Sequence, residues 1–99
     1  MVEVHVTFPN AAEANALSRA AVEQRLAACA SVMGAMHSYF WWAGALQSED
    51  EVAVVFKTAD DRESALVAFL AAHHSYEVPA IIVHQPRVVV HRSDDIAAG

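Results

Sequence analysis

Cysteine, basic residues and long apolar runs are all scarce in this chain of 99 residues. Cys29 is the only cysteine, so neither an intrachain disulfide nor a four-thiolate metal site can form. Six scattered Lys and Arg residues and a net charge of −6 argue against nucleic acid as a partner, because phosphate neutralisation needs clustered cations. No segment has the pattern of a signal peptide or a span of about 20 apolar residues. We therefore expect a cytoplasmic protein with no membrane partner.

Catalytic motifs are absent from the sequence as well. The chain has three glycines, and Gly34 and Gly44 are too isolated to form a phosphate-binding loop or a nucleophile elbow. It also has no cofactor fingerprint. The sequence therefore predicts a protein that is not an enzyme.

Apolar residues are abundant instead, at 56% of the chain against 18% charged, whereas typical values are about 45–50% and about 25%. Alanine accounts for 21 of these residues and fills helices easily. The remaining valines and aromatics exceed what one small surface absorbs. A chain of this length forms a single domain, residues 1–99, with one small core. We therefore expect the excess apolar surface to be buried between copies of the chain.

The first third of the chain predicts a strand and a helix. Valines alternate with polar residues from residue 2 to residue 6, which is typical of a strand with one buried face, and Pro9 ends it. Asn10 can cap a helix, with Glu13 in the capping-box position. Apolar residues then recur at helical spacing, which predicts a helix to about Ala28.

The next segments predict a long hairpin. Residues 29–42 are apolar and rich in Val, Met and aromatics, which favours a long second strand, and Gly44 marks a turn before a polar run. Residues 51–57 read as strand three.

The last third predicts a second helix and a fourth strand. Asp60 and Glu63 form a second capping box before a helix that ends at His73 and His74, since Pro79 blocks its continuation. Residues 81–83 then predict strand four, and residues 88–90 a short additional strand.

The order β-α-β-β-α-β predicts an α+β fold of the ferredoxin-like class, with two helices on one face of an antiparallel sheet. The other face is left bare, and covering it requires another copy or partner. The aromatic run from Tyr39 to Trp42 is the natural contact, because an overhanging strand can extend a neighbour's sheet. Burial of these aromatics in the chain's own core is the alternative interpretation.

Five segments stand out together: Thr7-Phe8-Pro9, Arg25 to Cys29, Ser38 to Gly44, Phe56-Lys57-Thr58 and His73 to Pro79. In order and spacing they resemble the CutA divalent-cation tolerance family. The resemblance covers about residues 2–86, and residues 87–99 form a divergent tail. It implies a homotrimer of ferredoxin-like subunits, related to the PII signalling proteins, with a non-catalytic role in tolerance of copper and other divalent cations.

The resemblance also implies a metal site. His73 and His74 match a histidine pair to which copper ligation is assigned in the family, so Cu(II) or another divalent cation is the expected ligand. A thiol on strand one completes that set elsewhere, but Val6 stands here. Adjacent helical residues point about 100° apart, so one ion is not easily shared. The alternative is that these histidines only complement the helix dipole.

Other departures from the family pattern keep two functions open. Ala45 replaces a lysine and Ala80 a glutamate, and the tail lacks the family's aromatic helix. A metal-responsive trimer and a ligand-free scaffold or PII-like signalling module therefore both remain. A further metal site is conceivable among histidines on strands, if those strands are neighbours and their side chains share a face: His5, His84 and His91.

Overall fold

The computed structural model describes residues 1–90. Strand β1 (Val2–Phe8) leads to helix α1 (Ala11–Glu23), which is followed by strands β2 (Cys29–Trp42) and β3 (Ala45–Thr58). A single 3-10 turn (Asp60–Arg62) precedes helix α2 (Glu63–His73), and strand β4 (Ile81–His84) comes last. The antiparallel sheet has the spatial order β2-β3-β1-β4. The predicted ferredoxin-like α+β fold is confirmed.

Both helices lie on one face of the sheet, where the core forms. Alternate residues of β1 and β3 point to this face and are at most 8% exposed. They pack against Ala14 and Ala21 of α1 and Leu66 and Leu70 of α2. The period of two in a strand sends every second side chain to this layer.

No helix or strand within residues 1–90 covers the opposite face of the sheet. We call it the open face, and by strand register it presents these side chains: Glu3, His5, Thr7, Cys29, Ser31, Ala53, Val55, Lys57, Ile82 and His84. It mixes polar and apolar groups. The valines of β1 instead belong to the core beneath the helices.

The β2–β3 hairpin extends well beyond β1, which stops pairing with β3 at Val52. We call the overhanging part, residues 36–51, the hairpin arm. Its tip is a two-residue turn in which Ala43 and Gly44 both have positive φ, 52° and 78°. This is the type I′ geometry that matches the twist of paired strands. The polar run before residue 51 therefore belongs to β3, which is longer than predicted.

Helix α1 ends five residues before the predicted Ala28. Arg25 adopts φ 57°, its N–H donates to Val22, and the Leu26 N–H donates to Ala21. This is the Schellman arrangement, in which a left-handed residue reverses the chain. Asn10 caps the helix start as predicted, by accepting from the Glu13 N–H at 2.8 Å.

Two predictions near the second helix are wrong. The Asp60 and Glu63 capping box does not form, because the 3-10 turn occupies residues 60–62 and the helix begins without a side-chain cap. Residues 88–90 are not a strand. The part of the divergent tail beyond residue 90, which includes the candidate ligand His91, lies outside the described residues.

Candidate functional site

His74 lies where the chain leaves α2, and its imidazole is fully buried between the helix end and β1. Its Nε2 is 2.8 Å from the Thr7 carbonyl oxygen. Its Nδ1 accepts the Tyr76 backbone N–H at 3.0 Å. The ring also stacks on Phe8, with 4.7 Å between centroids and an interplanar angle of 13°.

These contacts define the state of the ring. Because Nδ1 accepts a hydrogen bond from a backbone N–H, it carries no proton itself, and Nε2 is the nitrogen that donates to the Thr7 carbonyl. Both ring nitrogens of His74 are therefore used within the chain. Binding a metal through either one would require breaking a hydrogen bond in a buried site.

His73 has a different environment. It is exposed, its Nδ1 donates to the Phe69 carbonyl at 2.9 Å, and its ring packs against Phe69. This bond holds the neutral ring in one tautomer and leaves Nε2 as an acceptor facing outward. His73 can thus offer one nitrogen to an ion.

The structure does not bring His73 and His74 together as a chelating pair. One ring points into the fold and the other lies on the helix surface. Val6 stands at the position of the thiol that the resemblance implies. It is 2% exposed and packs in the core beneath the helices, so this position offers no ligand. Metal binding at His73 and His74 stays a prediction, for which only His73 has a suitable free nitrogen.

Glu13 connects helix α1 to the segment after α2. Its carboxylate accepts a hydrogen bond from the Ser75 N–H at 3.0 Å and lies 3.7 Å from His74. In the predicted capping box this carboxylate would instead bond the backbone N–H of Asn10. Burial alone would raise the pKa of Glu13, but the hydrogen bonds from Ser75 and the nearby His74 outweigh it and lower the pKa below its ordinary value.

Tyr76 lies between this region and the base of the hairpin arm. Its hydroxyl donates to Glu51 at 3.3 Å. Burial, together with the negative charges of Glu51 and Glu49, raises the pKa of Tyr76 to about 12. The phenol is therefore a proton donor that stays neutral at physiological pH, and it links the end of α2 to β3.

A second group of polar side chains occupies one corner of the open face. His5 Nε2 lies 3.1 Å from a Glu3 carboxylate oxygen, and the rings of His5 and His84 are 4.6 Å apart at their centroids. The condition set for an inter-strand histidine site is met by these two, since β1 and β4 are neighbours and both rings share a face. Sequence reasoning singled out the histidines but missed Glu3, whose place two residues before His5 on the same strand face was the available signal.

Two other side chains that could ligate a metal, Cys29 and His37, lie apart from both of these groups. Cys29 is half-buried at the start of β2 and pairs across with Lys57, so it lies on the open face. His37 contacts Asp50 at 2.7 Å across the hairpin arm. Within residues 1–90, no group of three or more His, Cys, Asp or Glu side chains forms a ready-made metal site. No helix in that part of the chain is long and apolar enough to cross a membrane.

The hairpin arm carries the largest exposed aromatics of the described chain. Tyr39, Trp41 and Trp42 are 71%, 74% and 71% exposed. The alternative that they form an internal core is therefore wrong for these three. Aromatic area of this size on a strand at the edge of the sheet is typical of a protein contact.

The fold and these surfaces define a class, the ferredoxin-like α+β subunits with one uncovered sheet face and a projecting hairpin. Within this class, the CutA1 divalent ion tolerance protein family matches residues 2–91. The chain belongs to that family, which confirms the resemblance noted in the sequence.

Individual relatives support the same assignment. The chloroplastic protein CutA 1 of Oryza sativa subsp. japonica is 32% identical over 81 residues, which make up 82% of this chain but only 46% of that protein. The divalent-cation tolerance protein CutA of Yersinia pestis (strain Pestoides F) is 33% identical over 82 residues, 83% of this chain and 69% of that protein.

Solved structures agree with the fold. CutA of Pyrococcus horikoshii, crystallised in the presence of 3M guanidine hydrochloride, superposes with a TM-score of 0.86 at 31% identity, covering 91% of this chain and 88% of that one. CutA from Synechococcus elongatus PCC7942 gives a TM-score of 0.82 at 35% identity, over 86% of this chain and 75% of that one.

Proposed function

We propose that this chain acts, as a homotrimer and without catalysing a reaction, in tolerance of or response to divalent cations. The observation that carries the proposal is the family match across residues 2–91, whose description names divalent ion tolerance. The curated relatives in Yersinia pestis carry the same function in their name. The cytoplasm is the compartment we propose, on the single cysteine and the acidic composition.

Assembly is supported by two surfaces that a single chain leaves uncovered. The open face lies opposite the helices, and the hairpin arm presents exposed aromatic and aliphatic side chains: Met36, Tyr39, Trp41, Trp42 and Leu46. Monomers rarely expose more than a few hundred Å² of contiguous apolar surface. Contacts between copies would cover both surfaces.

Strand pairing offers the means. β2 is an edge strand of 14 residues, and an exposed edge presents unpaired backbone donors and acceptors that another chain can use. A neighbour that pairs with this edge would also bring its own aromatics to the contact. A closed ring of three copies leaves no edge or arm unsatisfied, whereas an open arrangement would continue to grow.

For the cation, we propose Cu(II) as the preferred ion and His73 Nε2 as one ligand. Imidazole suits Cu(II), Ni(II) and Zn(II), and affinity at a given site follows the order in which copper binds most tightly. Histidine ligands from different copies, or water, would complete the coordination. His74 would support the site by holding the end of α2 against Thr7.

A second candidate function is a ligand-free trimeric scaffold or PII-like signalling module. The specific observation in its favour is that both nitrogens of His74 are engaged inside the chain, so the inferred pair offers a single ligand. Under this alternative, Tyr76, Glu51 and the hairpin arm would serve only to shape the assembly.

Native mass spectrometry of metal-free protein titrated with Cu(II) and Zn(II) tests both candidates, because it reports assembly and ion stoichiometry together. The tolerance role predicts a trimer that retains ions, with Cu(II) ahead of Zn(II). A trimer that retains neither ion supports the scaffold. A monomer would contradict both. Restoration of growth on copper by this chain, in cells lacking their own CutA, tests the tolerance role separately.

A further inference from the structure

We propose that His5 and His84 together bind a divalent transition-metal ion at the edge of the open face, and that Glu3 orients His5 for this role. The site is separate from the end of α2, since His73 is the last residue of that helix, which lies on the other face of the sheet. The site would bind an ion for the cation role proposed above, and its physiological meaning rests on that role.

Strand register brings these residues together. In the β1–β4 ladder Glu3 lies directly opposite His84, and His5 lies opposite Ile82. His5 and His84 are therefore diagonal neighbours on one face, within reach of each other's side chains. The chain separates them by 79 positions, so only the pairing of the first strand with the last creates the cluster.

The spacing of the two rings suits a shared ion. With metal–nitrogen distances of about 2.1 Å, the ion lies about 3.2 Å from each ring centre, so two imidazoles on one ion have centres about 4.5 Å apart at a right angle and about 5.2 Å apart in tetrahedral geometry. The observed separation is 4.6 Å, with the planes tilted by 53° rather than stacked. The centroid separation therefore matches two imidazoles held at about a right angle on one ion.

Glu3 has the contact expected of a carboxylate that orients a metal-binding histidine. Its Oε1 accepts from His5 Nε2 at 3.1 Å. A histidine held in this way keeps its proton on Nε2 and presents an unprotonated Nδ1 as the ligand. The carboxylate also places a negative charge beside the ion, which offsets the positive charge of Lys57 across the ladder.

In the single chain the two rings are accessible to solvent, and in an assembly that covers the open face another copy would lie beside the site. His84 is exposed and ends the edge strand β4, and the His5 side chain is 40% exposed. Two protein ligands leave the other coordination positions to water or to another copy. A site of two imidazoles favours Cu(II), Ni(II) and Zn(II) over Mg(II) and Ca(II), which prefer oxygen ligands.

The experiment is a Zn(II) and Cu(II) titration by calorimetry of the metal-free full chain and five variants: H5F, H84F, E3Q, H37F and H73F. H5F and H84F each remove one ligand while keeping an aromatic ring. H37F is the matched control, because His37 also contacts a carboxylate, Asp50, but lies on the hairpin arm. H73F separates this site from the ligand proposed at the end of α2.

We expect H5F and H84F each to weaken one binding event per chain at least tenfold, and H37F to leave it unchanged. E3Q should weaken the same event by about 10-fold, as loss of an orienting partner does. Unchanged affinity and stoichiometry in both H5F and H84F would overturn the proposal. If only H73F loses binding, the proposal fails while the cation role at His73 stands.

A measurement on the unaltered protein covers the case in which the variants do not fold. Substoichiometric Cu(II) broadens NMR signals of nearby protons, so the ring signals of His5 and His84 should disappear before those of His37. Preferential loss of the His37 signals, or equal broadening of all three histidines, would show that the two rings only pack against each other.

Discussion

Replacing His74 by alanine tests whether this residue supports the fold or binds metal. The imidazole is fully buried, bonds Thr7 and Tyr76 through its two nitrogens, and stacks on Phe8. Two net hydrogen bonds contribute about 1 kcal/mol each, and the cavity left by a buried ring adds a comparable or larger loss. We expect the free energy of unfolding to fall by about 3–4 kcal/mol, a large share of the roughly 5–15 kcal/mol that holds a domain together.

Thermal denaturation at one fixed protein concentration measures the effect, since assembly makes the midpoint depend on concentration. At 4–8 °C per kcal/mol for a domain of this size, the loss corresponds to a midpoint about 12 °C lower or more. His73→Ala is the matched control, because that ring is exposed and bonds only its own helix through Phe69. Its effect should stay within about 0.5 kcal/mol.

His74→Phe separates the two parts of the estimate. It keeps an aromatic ring against Phe8 but cannot bond Thr7 or Tyr76, so we expect a loss of about 2 kcal/mol. The reasoning would be refuted if His74→Ala were as stable as the unaltered chain. It would also be refuted if His74→Ala stayed folded yet lost Cu(II) binding that His73→Ala retained, because His74 would then be the ligand.

Three further predictions follow from other parts of the structure. Trp41→Glu should dissociate the assembly, since it places a charge in a buried contact at a cost of several kcal/mol, and light scattering that still gave three chain masses would place Trp41 outside the contact. Thr58→Val should lower the free energy of unfolding by about 1–3 kcal/mol in urea denaturation, because the buried Thr58 hydroxyl donates to the Leu26 carbonyl at 2.9 Å; no change would mean that water replaces it. Because the pKa of Tyr76 is raised to about 12 in the folded chain, its contribution to the free energy of unfolding is fully present below about pH 10. That contribution is lost as the pH rises through 12. Glu51→Gln should lower that pKa toward the ordinary 10.0, as followed by phenolate absorbance, and an unchanged titration would show that Glu51 does not contribute to the shift.

Much of the fold could be predicted because local signals agree with it. Alternating valines from residue 2, the Asn10 cap and the apolar run of residues 29–42 each matched the observed element. The errors came where a tertiary contact overrode the local pattern. Arg25 took a left-handed conformation that sequence statistics reserve for glycine, and the polar start of β3 became strand because β2 lies beside it.

The candidate sites divide in the same way. The sequence alone predicted that histidines would bind metal and that the aromatics of the hairpin would form a contact surface, and the structure shows those aromatics exposed. The sequence could not show that His74 turns inward, because a helix end allows either direction until Thr7 and Tyr76 occupy its two nitrogens.

The order of the elements and the residues of each strand that share a face follow from the sequence, since both depend on short-range periodicity. Which strands are neighbours, and in what register, became clear only in the folded chain. That choice depends on packing between elements distant along the chain, with β1 placed between β3 and β4. It alone put Glu3, His5 and His84 into one corner of the open face, because the pairing of the first and last strands is a long-range contact that no local pattern encodes.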